Sequence, residues 1–203
     1  DEIVNSGLPE TKLKNTAPKL TPEQLLQFYE DGKDFIIVDV RNWYESKIGK
    51  FKNAITPQIT HFREWPKVVE ELEEFKDKTI VTYCTGGIRC EKASAYMREK
   101  GFKDVYQIDG GILNFIQQWP DTYWEGGLFV FDDRKVIEPN TKEELKYTAN
   151  CHFCTKPTSY YINCHNLDCD KIIVCCHDCK IKEEYCCSDK CRNSSNKRKV
   201  FYG

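Results

Sequence analysis

The stretch CTGGIRC at 84–90 brings two cysteines, two glycines and an arginine close together. Cys84 leaves an apolar run, and Cys90 opens a segment of helix-forming composition. Adjacent glycines permit positive φ values and close backbone approach, so the loop amides can point at the sulfur. Inward amides at a helix N-terminus bind anions and lower the pKa of a thiol. The stretch therefore predicts an activated thiolate at Cys84, with Arg89 placed to neutralise an anionic group.

Alternatives remain open within this loop. Cys84 could be an ordinary buried cysteine at a strand end, but the glycines and the arginine favour a functional loop. Cys90 could resolve a sulfenate or persulfide on Cys84 as a disulfide, or simply pack in the first helical turn. Only four residues separate Cys84 from Arg89. A C-x5-R phosphate cradle is one residue longer, so this smaller ring suits a sulfur atom better.

Alternating strands and helices surround the loop. Helices are predicted in LTPEQLLQFYEDG, with Thr21 as N-cap and Pro22 at the first position, and in CEKASAYMREKGF, whereas FIIVDV, TIVTYC and VYQIDGGI predict short strands. This order predicts an α/β fold with an open parallel sheet flanked by helices. Ligands of such sheets gather at the carboxyl ends of the strands, where Asp39, Cys84 and Asp109 lie.

The remaining cysteines form a separate region. Ten of the 12 fall between Cys151 and Cys191, in four clusters. Under reducing conditions such clusters bind metal more often than they form disulfides, and their number permits two structural zinc ions. We predict one site of Cys151, Cys154, Cys176 and Cys179, and a second of Cys164, Cys169, Cys187 and Cys191, with Cys175 and Cys186 spare. His152, His165 and His177 could substitute as ligands but are expected to face solvent.

Composition sets broad limits. The chain has 203 residues, 40% of them hydrophobic and 31% charged, which is enough for a buried core. Lacking a membrane-spanning apolar run and a signal-like leader, it is expected to be cytoplasmic and free of membranes. Its net charge is -2, and two all-thiolate zinc sites would make it more acidic still. Nucleic-acid binding would then need clustered lysines and arginines. Because it begins at Asp1 and its single methionine is Met97, we expect a fragment.

Three segments resemble a rhodanese domain: VDVRNWYESKIGKFKNAI, TIVTYCTGGIRCEKASAYM and GFKDVYQIDGGI. The combination of CTGGIRCEKAS with GGLFVFDDR at 126–134 is more specific. It resembles the rhodanese-domain tRNA uridine hydroxylases, which make 5-hydroxyuridine at the wobble position with molecular oxygen. The similarity runs from Glu2 through Arg134 and continues into the cysteine-rich end. Members of that family usually carry a further small α/β domain before the EIV segment.

The resemblance implies a function and a set of site residues. Cys84 would be the catalytic residue; Asp39 and Arg41 would support the site. The active-site loop would comprise Thr85, Gly86, Gly87, Ile88, Arg89 and Cys90. Transfer RNA would be the partner and molecular oxygen the co-substrate, while the oligomeric state stays unknown. Two alternatives remain, a sulfurtransferase that carries sulfur as a Cys84 persulfide and a non-catalytic binding module.

We expect five segments along the chain. They are an N-terminal extension (1–18), a rhodanese-like domain (19–123), an extended segment and linker (124–150), a small cysteine-rich two-zinc domain (151–191) and a basic tail (192–203). The tail is expected to be solvated, because a terminal charge run usually is. The residues of GGLFVFDDR are compatible with an edge strand and a turn.

Overall fold

The computed structural model describes residues 15–120, 122–130 and 147–198, and the backbone of 136–137. The helices are α1 (Pro22–Glu30), α2 (Trp43–Ile48), α3 (Trp65–Glu71), α4 (Ile88–Glu99), α5 (Gly111–Gln118), α6 (His177–Lys182) and α7 (Asp189–Arg192). The strands are β1 (Lys19–Leu20), β2 (Ile36–Asp39), β3 (Gly49–Phe51), β4 (Thr79–Tyr83), β5 (Asp104–Ile108), β6 (Trp124–Gly126), β7 (Leu128–Phe129), β8 (Val136–Ile137), β9 (Tyr161–Asn163) and β10 (Ile172–Val174). Short 3-10 turns flank α3. None of the helices formed by these residues has the length and apolar character that a membrane span requires.

A four-stranded parallel sheet in the order β1-β5-β4-β2 forms the centre of the fold. One face packs against α3 and α4 through Trp65 and Met97, and the other against α1 and α5 through Leu25 and Phe115. All four side chains are fully buried. The predicted α/β fold with a parallel sheet flanked by helices is therefore confirmed.

Local sequence signals explain the helix starts. Thr21 caps α1 through a capping box with Gln24, and Pro22 occupies the first turn, as predicted. Helix α4 begins at Ile88, two residues before the predicted start, so Ile88 and Arg89 belong to its first turn. Helix α5 was not expected, since Gly110 and the residue after it indicated only a turn.

The cysteine-rich region packs on the α/β unit through α2. Tyr44 and Ile48 of α2 form a small apolar cluster with Phe129, against which Tyr161 and Ile172 of the β9–β10 hairpin pack. Helix α2 thus has the cysteine-rich hairpin on one side. Strand β6 pairs with β3, which ties the beginning of the predicted linker to the α/β unit.

The beginning of the predicted basic tail is not a free, solvated segment. Arg198 donates to the Asp170 carboxylate at 2.7 Å, and Lys197 lies 3.1 Å from a Glu184 carboxylate oxygen. The Leu167 amide also donates to the Asn196 carbonyl at 2.9 Å. Opposite charges within the cysteine-rich region hold residues 196–198, which composition alone could not reveal. Residues 199–203 lie outside the described part of the chain, as do 1–14 of the N-terminal extension and Asp132, Asp133 and Arg134.

Candidate functional site

The predicted loop lies at the carboxyl end of β4, a central strand of the sheet. Helix α5 fixes its backbone, because the Ile112 and Leu113 amides donate to the carbonyls of Cys84 and Thr85 at 3.0 and 3.1 Å. Gly111 makes this close approach possible. A Cβ on that residue would lie 2.4 Å from the Cys84 carbonyl oxygen, and its φ of +65° is in the left-handed region. The loop carbonyls are therefore held towards α5.

The Cys84 sulfur is buried and set up to be a thiolate. The residue is 2% exposed, and the Gly87 amide donates to its Sγ at 3.2 Å. A hydrogen bond from the Cys90 thiol, helped by the positive charge of Arg89 and by backbone amides, lowers the pKa of Cys84 to about 6 despite its burial. These contacts favour the thiolate form of Cys84.

Cys90 lies in the first turn of α4 and acts as a donor in this arrangement. Its side chain is fully buried. Burial and the adjacent Cys84 thiolate raise the pKa of Cys90 well above its ordinary value. The surroundings therefore favour the thiolate at Cys84 and the neutral thiol at Cys90.

Arg89 does not face an open anion site but is held by a carboxylate from α2. Its two terminal nitrogens donate to the Glu45 oxygens at 2.6 and 2.8 Å. Burial disfavours the guanidinium charge, yet the hydrogen bonds and charge of Glu45 raise the pKa of Arg89 above its ordinary value. The Thr85 hydroxyl also lies 3.4 Å from Glu45, which itself is fully buried. Glu45 thus neutralises much of the charge that the sequence assigned to an incoming anion.

Asp39 and Arg41 form a second buried ion pair beside the loop. Arg41 donates to both Asp39 oxygens, at 2.7 to 3.2 Å, and to the Gly49 carbonyl at 2.7 Å. Its guanidinium lies 5.5 Å from the ring centroid of Tyr83, the residue before the loop, and 5.3 Å from that of Trp124. These contacts anchor the carboxyl ends of β2 and β4. No hydrogen bond from this pair to the loop cysteine is among those of the described residues.

Three other predicted positions lie at the surface. Asp109 follows β5, but its half-exposed carboxylate lies 3.6 Å from the Lys19 ammonium. Ile88 is 50% exposed, and Gly86 is also exposed. The outer rim of the loop is therefore accessible, whereas the sulfur beneath it is not.

The cysteine-rich region contains two groups of four thiols, each able to hold a metal ion. Their members are Cys151, Cys154, Cys176 and Cys179 in the first group, and Cys164, Cys169, Cys187 and Cys191 in the second. Within each group all sulfurs lie within 4.8 Å of one another. These are the two predicted sets.

The sulfur–sulfur distances within each group are too long for disulfide bonds, and the neighbouring Cys175 and Cys186 belong to neither group. The closest sulfur pairs are 3.6 to 3.7 Å apart, whereas a disulfide bond is about 2.05 Å long. Neither group includes Cys175 or Cys186, the predicted spares, both of which are fully buried. His152 and His177 are exposed as expected, whereas His165 is half-buried and stacks on Tyr185 with ring centroids 4.7 Å apart.

Sequence reasoning missed Glu45 and Gly111. Glu45 is 44 residues from its partner Arg89, so no local pattern links them. A weak signal existed in the N-x-x-E spacing from Asn42, because the Glu45 carboxylate also accepts from the Asn42 amide at 3.2 Å. Gly111 was visible only as part of a turn, and its packing against the loop needed the tertiary structure.

Two family models match the chain. One, described as a rhodanese-like domain, covers 21–118, and the other, described as rhodanase C-terminal, covers 125–192. Three curated relatives are each called tRNA uridine(34) hydroxylase. Their sequences are 41% (Onion yellows phytoplasma), 39% (Chlamydia abortus) and 38% (Cytophaga hutchinsonii) identical to this chain. They match 97%, 94% and 97% of this chain. The chain spans 65%, 59% and 63% of their respective lengths, less than two thirds of each.

Proposed function

The chain is a rhodanese-domain protein homologous to the tRNA uridine(34) hydroxylases, and we propose that it carries the catalytic part of such an enzyme. The reaction would be the oxygen-dependent hydroxylation of the wobble uridine of tRNA to 5-hydroxyuridine. Cys84 would be the catalytic residue, and 85–90 its loop. The substrate is a tRNA, and molecular oxygen is the co-substrate.

The observation that carries this proposal is the geometry of the loop after β4, where the buried Cys84 sulfur accepts from the Gly87 amide at 3.2 Å and α5 holds the loop carbonyls. A thiol whose pKa is about 6 is a nucleophile at neutral pH without a separate general base. The Gly87 amide donates to the sulfur at 3.2 Å, and the neighbouring Cys90 thiol and Arg89 charge lower the pKa of Cys84 further. Burial also shields it from adventitious oxidants.

The ion pair between Glu45 and Arg89 supports the loop in this proposal. It fixes the guanidinium near the sulfur, where the positive charge contributes to the low pKa of Cys84. Arg41 and Asp39 hold the ends of the two strands beneath it. We assign positioning roles to these four residues, because the contacts described pair each of them with another side chain of the protein.

Each four-cysteine group suits a structural zinc ion. Tetrahedral coordination with Zn–S bonds of about 2.3 Å puts neighbouring sulfurs about 3.8 Å apart. The closest sulfur pairs, at 3.6 to 3.7 Å, agree with that spacing. Backbone amides of Cys176 and Cys187 donate to sulfurs of their own groups at 3.4 and 3.5 Å, as outer hydrogen bonds to metal thiolates commonly do. When bound, zinc would cross-link a segment with little apolar core of its own.

Nucleoside mass spectrometry tests the activity directly. The chain is expressed, as wild type or with Cys84→Ser, in cells that lack their own 5-hydroxyuridine pathway. Wild type is expected to restore 5-hydroxyuridine in tRNA, and the variant to restore none at equal abundance and thermal stability. Wild-type protein that leaves intact tRNA unmodified would refute the hydroxylase, and a fully active variant would refute the role of Cys84.

The same two proteins examine the alternative functions. Cys84-dependent transfer of sulfur from thiosulfate to cyanide, without 5-hydroxyuridine formation, would identify a sulfurtransferase. Absence of both reactions in wild type and variant alike, together with RNA binding by both, would identify a binding module. Metal content by elemental analysis, expected at two zinc ions per chain, checks the zinc assignment separately.

A further inference from the structure

A polar groove lies along α2, on the side away from the cysteine loop. It has a volume of about 390 Å³ and is lined by residues of α2, of β3 and of the segment that follows β3, together with Thr148. This volume falls within the range of pockets that hold small organic ligands, about 300 to 1,000 Å³. We refer to it as the α2 groove.

The groove is positively charged in a chain that is acidic overall. Lys47 and Lys50 contribute to its lining, and none of the lining residues is acidic. Glu125 is the cross-strand partner of Lys50 but does not line the groove. Within the described ranges, neither lysine forms an ion pair with a carboxylate. Two ammonium groups are thus available to an anionic ligand, although the net charge of the chain is -2.

An aromatic ring forms part of the same groove. Trp43 is half-buried; its backbone amide donates to the Ile59 carbonyl at 2.9 Å, and its ring makes an edge contact with Tyr44. The Lys47 ammonium lies over the Trp43 ring, 5.6 Å from its centroid, in a cation–π contact. A nucleobase that stacks on this ring would take the place of the ammonium on that face, and the displaced Lys47 would then contact the phosphate.

The rest of the lining supplies hydrogen-bonding groups. Gln58 is exposed, and its amide nitrogen donates to the Thr56 carbonyl at 3.0 Å, which orients the amide and leaves its oxygen to accept. Thr148 closes one side through a bond from its hydroxyl to the Lys47 carbonyl at 2.7 Å. An oriented amide beside a stacking ring can read a base edge. A membrane surface or a simple anion would need neither group.

The position of the groove relates it to the reactive sulfur. Helix α2 carries Glu45 on its buried side, against Arg89 of the loop, and Trp43 and Lys47 at its groove side. An α-helix with its side chains is about 10 to 12 Å across. A ligand in the groove would therefore lie roughly one helix diameter from the loop, too far to react but near enough to belong to the same RNA strand.

We propose that the α2 groove binds a single-stranded nucleotide of the tRNA anticodon loop, next to or near the uridine that reacts. Trp43 stacks on the base, and Lys47 and Lys50 contact phosphates. This inference rests on the proposed function for the identity of the RNA. What it adds is the location of the nucleotide-binding site and the residues that contact the nucleotide.

Fluorescence anisotropy of a labelled RNA hairpin with an anticodon-loop sequence provides the test. Lys47→Ala/Lys50→Ala is compared with Lys78→Ala/Lys103→Ala, which removes the same charge at the opposite, amino-terminal edge of the sheet. We expect the first pair to weaken binding by about tenfold or more and to reduce the slope of log affinity against log salt by about 1.4, since each single-strand phosphate contact contributes about 0.7. The control pair is expected to change affinity by less than twofold.

Trp43→Leu tests the stacking contact, with Trp43→Phe as its matched control. Leucine is expected to weaken binding by about tenfold at unchanged salt slope, because it removes the π-face and no charge, whereas phenylalanine should retain most of the affinity. Equal effects of the two lysine pairs would overturn the inference, as would no binding by the wild-type chain. It would also be overturned if the Lys47→Ala/Lys50→Ala variant bound the hairpin as tightly as wild type.

The outcomes distinguish a failure of the groove proposal from a failure of the proposed function. Hairpin binding does not require Cys84, so Cys84→Ser is expected to bind like wild type. Groove-dependent binding without any 5-hydroxyuridine formation would refute the proposed function alone. Unchanged binding and unchanged 5-hydroxyuridine formation in the Lys47→Ala/Lys50→Ala variant would refute the groove alone.

Discussion

Removal of the Cys90 thiol should raise the pKa of Cys84. The Cys90 hydrogen bond is the largest of the influences that bring this pKa from 9.0 to about 6. A hydrogen bond to a charged group is worth about 1.5 to 3 kcal/mol, and 1.36 kcal/mol corresponds to one pKa unit. In Cys90→Ala the pKa of Cys84 is therefore expected at roughly 7 to 8. At pH 6 the thiolate fraction falls from roughly half to roughly 1 to 10%.

Cys90→Ser is the matched control, because its hydroxyl still offers a donor in the first turn of α4. Its alkylation midpoint is expected to stay close to that of wild type. Both variants replace a fully buried side chain, so thermal unfolding must first show that each is folded at the assay temperature.

The assay is pulsed alkylation with iodoacetamide across pH 5 to 9, followed by peptide mass spectrometry. Trypsin cleaves after Lys78, Arg89 and Lys92, so Cys84 and Cys90 are recovered in different peptides. The pH midpoint is the quantity to compare, since the intrinsic reactivity of a thiolate also changes with its pKa. Equal midpoints in wild type and Cys90→Ala would refute the reasoning. A serine variant as strongly shifted as the alanine variant would show that packing, not donation, sets the pKa.

Three further predictions concern the support of the site. Gly111→Ala should lower the free energy of unfolding by about 3 kcal/mol or more and slow alkylation of Cys84, because the alanine methyl would lie 2.4 Å from a loop carbonyl oxygen. Gly101→Ala is the control, since Gly101 also has a positive φ but open space around it. This variant should lower the free energy of unfolding in urea by only about 1 to 2 kcal/mol. Glu45→Gln leaves the charge of Arg89 buried without its partner and should lower the free energy of unfolding by about 3 kcal/mol. Its control, Glu71→Gln, removes one member of an exposed ion pair and should lower the free energy of unfolding by less than about 0.5 kcal/mol. Metal removal by a chelator should accelerate hydrogen exchange in α2 as well as in β9 and β10, while α1 exchanges as before; unchanged exchange in α2 would contradict the packing of the hairpin on that helix.

The sequence predicted those parts of the site that are encoded locally. Cys84, its glycines and the two four-cysteine groups follow from spacing, because a turn or a metal site needs given residue types at short intervals. Helix α1 was predictable from its cap and its proline. Strands β2, β4 and β5 were predictable from short apolar runs.

What the sequence did not predict depends on distant contacts. Helix α2 is six residues long and begins with Trp43 and Tyr44, which are weak helix formers, so its stability comes from packing on both sides. The partner of Arg89 was missed for the same reason, since Glu45 lies on that helix. Arg89 itself was predicted near the sulfur but not as one half of a neutralised pair.

The many contacts of α2 bear on how its sequence can evolve. Glu45 holds the loop arginine, Tyr44 and Ile48 meet the cysteine-rich hairpin, and Trp43 and Lys47 line the groove. Nearly every residue of this short helix is therefore constrained by a different part of the structure. Substitutions in it should accumulate only together with compensating changes in three other segments, so a mutational scan would find α2 less tolerant than longer helices such as α4.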